Sequence, residues 1–153
     1  ESVVNGMELT EMLHSGNIFT DLDSDSKYEA IRELIDRSTI EENLKDYIYD
    51  KVLEREELEP TAVGNGIGIA HAKIEKINKI EIVMGLLKNG IDYESYDETP
   101  VRILFVVVAP VSQNREYLNL MAKISRVCRH SENVKKLLEM DDSDIIFEFL
   151  RNL

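Results

Sequence analysis

Two periods of apolar residues alternate along this chain, one of three to four residues and one of two, and they divide it into helices and strands. The dense Asp/Ser stretch Asp21–Ser26 reads as a turn, and Ser26 or Asp25 caps a helix over about 27–37. Ala30, Ile31, Leu34 and Ile35 are its apolar stripe. Ser38 with Glu41, or Thr39 with Glu42, has capping-box spacing and predicts a second helix running to about Glu54. Leu44, Ile48 and Val52 recur along it. Residues 1–8 read as a loose end, and Leu9 to Ile18 as a short helix or irregular lead-in.

Beyond Pro60 the period changes. Gly64-Asn65-Gly66 predicts a tight turn into a short strand where Ile67 and Ile69 alternate with glycines. A strand over about 79–87 follows, then a turn or loop from Asn89-Gly90 through the acidic stretch to Glu98. Val101 to Val108, between Pro100 and Pro110, is the pattern of a central strand buried on both faces. A helix over about 114–129 is predicted with Leu118, Met121, Ile124 and Cys128 on one face. Ser131 begins another helix with Val134, Leu137 and Leu138 inward, and Asp142 or Ser143 caps a last one ending near Leu150. Helices, then strands, then helices make one layered α/β domain.

Composition narrows the class. With 43% hydrophobic and 31% charged residues over 153 positions, the chain reads as soluble and able to bury a core. The longest apolar run, Ile103 to Pro110, is too short for a membrane span, and the N-terminal stretch lacks a signal-peptide pattern. The chain begins at Glu1 rather than Met, as a trimmed chain or a piece of a longer protein would. A net charge of −12 speaks against nucleic acid and anionic membrane as partners and for a basic protein surface, although solubility alone also accounts for it. The single cysteine, Cys128, excludes an internal disulfide, fits a reducing compartment, and reads as a buried structural thiol.

Candidate chemistry centres on histidine. Of three histidines, His14 in the lead-in and His130 at a helix end read as solvated, and none of the three has metal-ligand spacing. His71 ends a glycine-rich strand entry. Glycines allow close approach of a bulky anion to backbone N–H groups, and a neutral imidazole is nucleophilic at neutral pH. From residue type alone, a structural role for His71 is the commoner reading and a phosphoryl acceptor the alternative. The segment has neither a nucleotide P-loop, nor a dinucleotide fingerprint, nor a nucleophile elbow.

The run Arg55–Lys73, REELEPTAVGNGIGIAHAK, resembles the active-site signature of enzyme IIA domains of the mannitol/fructose class and their nitrogen-regulatory relatives, in the phosphoenolpyruvate-dependent sugar phosphotransferase system. Arg55-Glu56, Thr61, Gly64-Asn65-Gly66, Ile67 to Ala70 and His71 carry it. KYEAIRELIDR, GIDYESYDETPVRILFVVVAP and REYLNLMAKISRV extend it over about Leu9 to Leu150. The resemblance implies an α/β domain over 9–153, with a mixed β-sheet of about five strands flanked by helices on both sides. It implies a cytoplasmic phosphotransferase that accepts phosphate on His71 from the histidine phosphocarrier protein, or its nitrogen-branch counterpart. His71 then passes it to a IIB domain or signals to a regulated transporter or kinase. Arg55 is the implied phosphate-binding cation, with Gly64, Asn65, Gly66 and Tyr117 in support, and no cofactor or metal is implied.

Two positions depart from the family pattern. Ala70 stands where a proline usually precedes the active histidine, and Tyr117 where a second histidine usually stands. Tyrosine donates a hydrogen bond but brings no positive charge. Arg55 as a solvated helix-end residue and Tyr117 as a packing residue are the plain alternatives. Three other functions stay in view: a regulatory module with weak or no transfer, an interaction domain keeping only the fold, as in certain anion-exchanger cytoplasmic domains, and a metal hydrolase.

Overall fold

A computed structural model describes residues 9–93 and 98–153, so the expected loose end at 1–8 and part of the expected acidic loop lie outside the described residues. The short helix α1 (Leu9–Met12) leads to a two-residue strand β1 (Ile18–Phe19). Helices α2 (Lys27–Arg37) and α3 (Lys45–Leu58) follow, then strands β2 (Ala62–Gly64), β3 (Ile67–Ile74), β4 (Glu81–Ile91) and β5 (Val101–Pro110). Helices α4 (Asn114–Arg129), α5 (Ser131–Leu138) and α6 (Ser143–Arg151) close the chain.

The strands form one sheet in the order β1-β4-β5-β3-β2. It is mixed: β1 with β4 and β3 with β5 are parallel, while β4 with β5 and β2 with β3 are antiparallel. The expected fold class is therefore the observed one. The run 101–108 does lie between two strands, and from Ile103 to Ala109 it is buried throughout.

Strand alternation assigns the two faces. Ile67, Ile69, Ile103, Phe105 and Val107 pack with Leu120, Ile124, Ile146 and Leu150 of α4 and α6. Ala70, Ala72, Val83, Leu104 and Val106 pack with Ile31, Leu34, Ile48 and Val52 of α2 and α3. His71 has the parity of Ile67 and Ile69, so the strand aims it to the α4 side.

Several local expectations change. Ser26 caps α2 as expected, accepting from the Glu29 N–H. The capping boxes at 38–42 do not form. Ser38 ends α2 instead: its hydroxyl donates to the Ile35 carbonyl at 2.6 Å and accepts from the Ile40 N–H at 3.2 Å. The start of α3 passes through a 3₁₀ turn at Glu42–Leu44. Asn89-Gly90 lies inside β4 as an irregularity in register with β5, with Gly90 at φ 76°, a conformation glycine takes freely. In α4 the buried residues are Tyr117, Leu120, Ile124 and Cys128, whereas Leu118 is 56% exposed.

Candidate phosphoryl-acceptor site

β2 ends its pairing with β3 at Gly68, so β3 from Ala70 onward runs without that neighbour. The open edge is flanked by the chain between α3 and β2. Thr61 there accepts the Ile69 N–H on its carbonyl at 3.0 Å. His71 is consequently held in a ladder with Val107 on one side and left half-exposed on the other. Ala70, in the place expected for proline, is fully buried and in register with Val106, and the ladder continues past it to Ile74.

The imidazole is oriented by its own strand. Nδ1 of His71 lies 2.7 Å from the Ile69 carbonyl oxygen. A carbonyl only accepts, so Nδ1 carries the proton and Nε2 keeps its lone pair. Burial holds the His71 pKa below the ordinary imidazole value, with the Ile69 hydrogen bond opposing. The Arg55 charge pushes it down further and the Glu56 charge raises it. The ring is neutral at neutral pH, with Nε2 free to attack.

Tyr117 and Arg55 act on the His71 ring, and Lys73 reaches the Tyr117 ring beside it. Tyr117, in the first turn of α4, sets its ring 5.9 Å from the His71 ring, tilted by 46°. Burial pushes the Tyr117 hydroxyl up to about 12, against the pull of Arg55, so it remains a protonated donor. Arg55, in the last turn of α3, is close enough for its charge to act on both rings, and its Nη1 donates to the Glu59 carbonyl at 3.3 Å. Lys73 is two residues past His71 on the same strand face. Its ammonium donates to Asn114 Oδ1 at 2.8 Å and lies 5.9 Å from the Tyr117 ring. The alternation of β3 was the signal for Lys73, which sequence reading passed over.

Behind the site lies a buried charged cluster. Glu56, 1% exposed, accepts from the Thr61 N–H at 3.0 Å, the Thr61 hydroxyl at 2.6 Å and the Lys27 ammonium at 3.3 Å. Burying a carboxylate is costly unless its oxygens are satisfied, and here several donors do so. The cluster fixes Thr61, Thr61 fixes Ile69, and the Ile69 carbonyl fixes the imidazole. Nothing in the sequence announces Lys27, which lies 29 residues from Glu56.

The Gly64-Asn65-Gly66 turn stands elsewhere. Gly66 and His71 are five positions apart on extended chain, roughly 16 Å at about 3.3 Å per residue. Gly64, Asn65 and Gly66 have φ of 92°, 57° and 77°, which close the β2–β3 hairpin. Asn65 Nδ2 donates to the Cys128 and Arg129 carbonyls at 3.1 and 3.3 Å, tying the hairpin to the end of α4. The structure thus brings together His71, Arg55 and Tyr117 and separates them from the turn. His14 and His130 are exposed, and Cys128 is buried, its thiol pushed up to about 12 by burial. Among the described residues no cluster of three His, Cys, Asp or Glu could hold a metal ion, and no helix is long and apolar enough to cross a membrane.

Residues 11–153 match the family described as phosphoenolpyruvate-dependent sugar phosphotransferase system, EIIA 2. The chain belongs to this family. Its domains are phosphotransferases. The chain is 32% identical over 145 residues to a nitrogen regulatory protein of Bradyrhizobium diazoefficiens, covering 94% of this chain and 95% of that protein. It is 30% identical over 146 residues to the fructose-specific EIIABC component of Bacillus subtilis, covering 94% of this chain but 23% of that longer protein. Among solved structures, nitrogen regulatory protein IIA-Ntr from Neisseria meningitidis superposes with a TM-score of 0.86 at 18% identity, covering 93% of this chain and 98% of that one. The mannitol IIA in its complex with phosphorylated IIB from Escherichia coli superposes with 0.75 at 20% identity, covering 92% and 98%. Both structural likenesses speak to the fold, which this EIIA chain shares.

Proposed function

We propose that this EIIA domain carries a phosphoryl group on Nε2 of His71, received from a phosphohistidine of a histidine phosphocarrier protein or its nitrogen-branch counterpart in the cytoplasm. The observation that carries the reading is the His71 Nδ1 contact to the Ile69 carbonyl, which leaves Nε2 as the lone-pair nitrogen. In the transfer the Nε2–P bond forms as the donor's N–P bond breaks, and the bonding pair stays on the donor nitrogen. The Nδ1 proton remains on the ring, where the Ile69 carbonyl and the Glu56 charge favour the cation that develops. The transition state is loose and places its charge on three equatorial oxygens. Arg55 and Lys73 supply positive charge there, and the Tyr117 hydroxyl supplies a neutral donor in place of an imidazolium. Such fixed donors lower the barrier without further reorganisation.

The acceptor of the second transfer is a IIB domain, supported by the IIA–IIB pairing in the mannitol complex. A regulatory use, in which His71 phosphorylation changes the affinity for a transporter or kinase, is favoured by the likeness to the nitrogen regulatory protein and by Tyr117. The test is phosphotransfer from phosphoenolpyruvate through enzyme I and the phosphocarrier, read by intact mass. One acid-labile phosphate is expected on the wild type and none on His71→Gln. Stoichiometric phosphate on His71→Gln would sink the proposal.

A further inference from the structure

On the same side of the sheet as His71, but beyond the middle of α4, a cleft of about 370 Å³ opens between α4, α5 and α6. Its rim carries Lys123, Arg126 and Arg151, the last paired with Glu148 at 3.4 Å, and among the described residues no Asp or Glu lines it. In a chain with 30 acidic against 18 basic residues, that local excess is unusual. Two other surface clefts show the contrast. One beside α2 is lined by Asp23, Glu29, Glu33 and Asp36 as well as two arginines, and one near β1 by four aspartates.

Helix dipoles give a partial account of the cations. Arg126 and Arg129 lie in the last turn of α4 and Arg151 in the last turn of α6, where positive charge is favoured. That explains their positions along the helices, not their convergence. Arg129 serves the same helix end from outside the cleft, whereas Arg126 and Arg151 share one concavity from different helices. His130 and Asn133 bring the start of α5 to the same cleft, where the Asn133 N–H donates to the His130 carbonyl at 2.9 Å and the Asn133 side-chain amide to the Val127 carbonyl at 3.3 Å. The floor is apolar, with Val127 and Leu150. The volume falls within the range of small-molecule sites.

We propose that this cleft is a second binding site, for a small organic phosphate or comparable dianion with an apolar body. The phosphate sits between Arg126 and Arg151, and the body lies on Val127 and Leu150. The site is independent of the His71 chemistry. Tyr117 and Arg126 are nine residues apart on α4, about 13 Å along its axis, so a bound probe can be located.

The test uses 1-naphthyl phosphate titrated into the ¹⁵N-labelled full chain, with 1-naphthol and inorganic phosphate as partial probes. Saturable amide shifts are expected at Arg126, His130 and Asn133, with each partial probe at least about tenfold weaker. Arg126→Gln combined with Arg151→Gln is expected to weaken binding of 1-naphthyl phosphate by about tenfold or more. If that pair fails to fold, Arg126→Gln alone is expected to weaken it measurably. Absence of saturable shifts would overturn the proposal, as would equal affinity for 1-naphthol or unchanged affinity in the folded variants. Shifts confined to Lys73 and Tyr117 would also overturn it, because they assign the probe to the phosphoryl site.

Discussion

His71 has two chemically distinct nitrogens because one of them is committed to its own strand. Phosphorylation is therefore expected at Nε2, and ¹⁵N–³¹P correlation on the phosphorylated domain checks it; a phosphate on Nδ1 would contradict the site as described. Burial also lowers the ring's pKa, so the neutral nucleophile persists below the ordinary imidazole value of about 6.5. Phosphate acceptance should hold as pH falls through that value and drop only at the lower folded-state pKa, as long as the donor is kept charged. The sign for stability follows from the same shift. The unfolded chain binds this proton more readily, so stability declines as pH falls from about 6.5 through the folded value. His71→Gln should lose that part of the acid sensitivity in urea titrations at a series of pH values. Tyr117 is the other residue to change. Tyr117→Phe keeps the buried ring and removes the donor, and is expected to slow transfer about tenfold to a hundredfold with little change in unfolding midpoint.

At the scale of elements, the sequence carried ambiguities that packing resolved. In α4 both the 118–121–124–128 and the 117–120–124–128 rows satisfy the helical period, since each mixes steps of three and four. The second row is buried, and this choice brings Tyr117 against His71. Capping boxes at 38–42 were locally plausible, yet Ser38 binds back into α2 and Asn17 occupies the Thr39 N–H. Asn65 was expected near the phosphate on the strength of its motif. The hairpin instead spends its side chain on the α4 carbonyls. Asn65→Ala is expected to cost about 1–2 kcal/mol in urea unfolding, through two lost hydrogen bonds and a left-handed backbone position, while His71 still accepts one phosphate. On β4, Gly85 leaves room for α2: a Cβ there would collide with Leu22 Cδ1 and stand 2.8 Å from Leu34 Cδ2. Gly85→Ala should destabilise by about 1–3 kcal/mol, measured the same way, because Leu34 is fully buried and has no free space to retreat into.

For the whole molecule, the buried Lys27–Glu56 pair links distant chain segments to the site. Glu56→Ala is expected to cost about 3–5 kcal/mol of stability, since it removes a buried carboxylate that pairs with the Lys27 ammonium and accepts both the Thr61 N–H and hydroxyl. Glu56→Gln, which keeps the shape, should remain folded and show a lowered His71 pKa by NMR, because Glu56 favours the charged ring. An unchanged His71 pKa in that variant would remove Glu56 from the electrostatics of the site.

The order of elements, the central strand 101–108 and the helix boundaries at 27–37 and 114–129 were legible in the sequence. Each depends on residue type and short-range periodicity, which a linear chain displays. The register of α4, which sets Tyr117 against His71, and the Lys27–Glu56–Thr61 support were decided only by the tertiary structure. These are relations between segments brought together by the sheet order β1-β4-β5-β3-β2, and no local period encodes which side chains meet across it. The same separation explains the glycine turn: motif proximity along the chain placed it beside His71, but an extended strand carries neighbours in sequence away from one another in space.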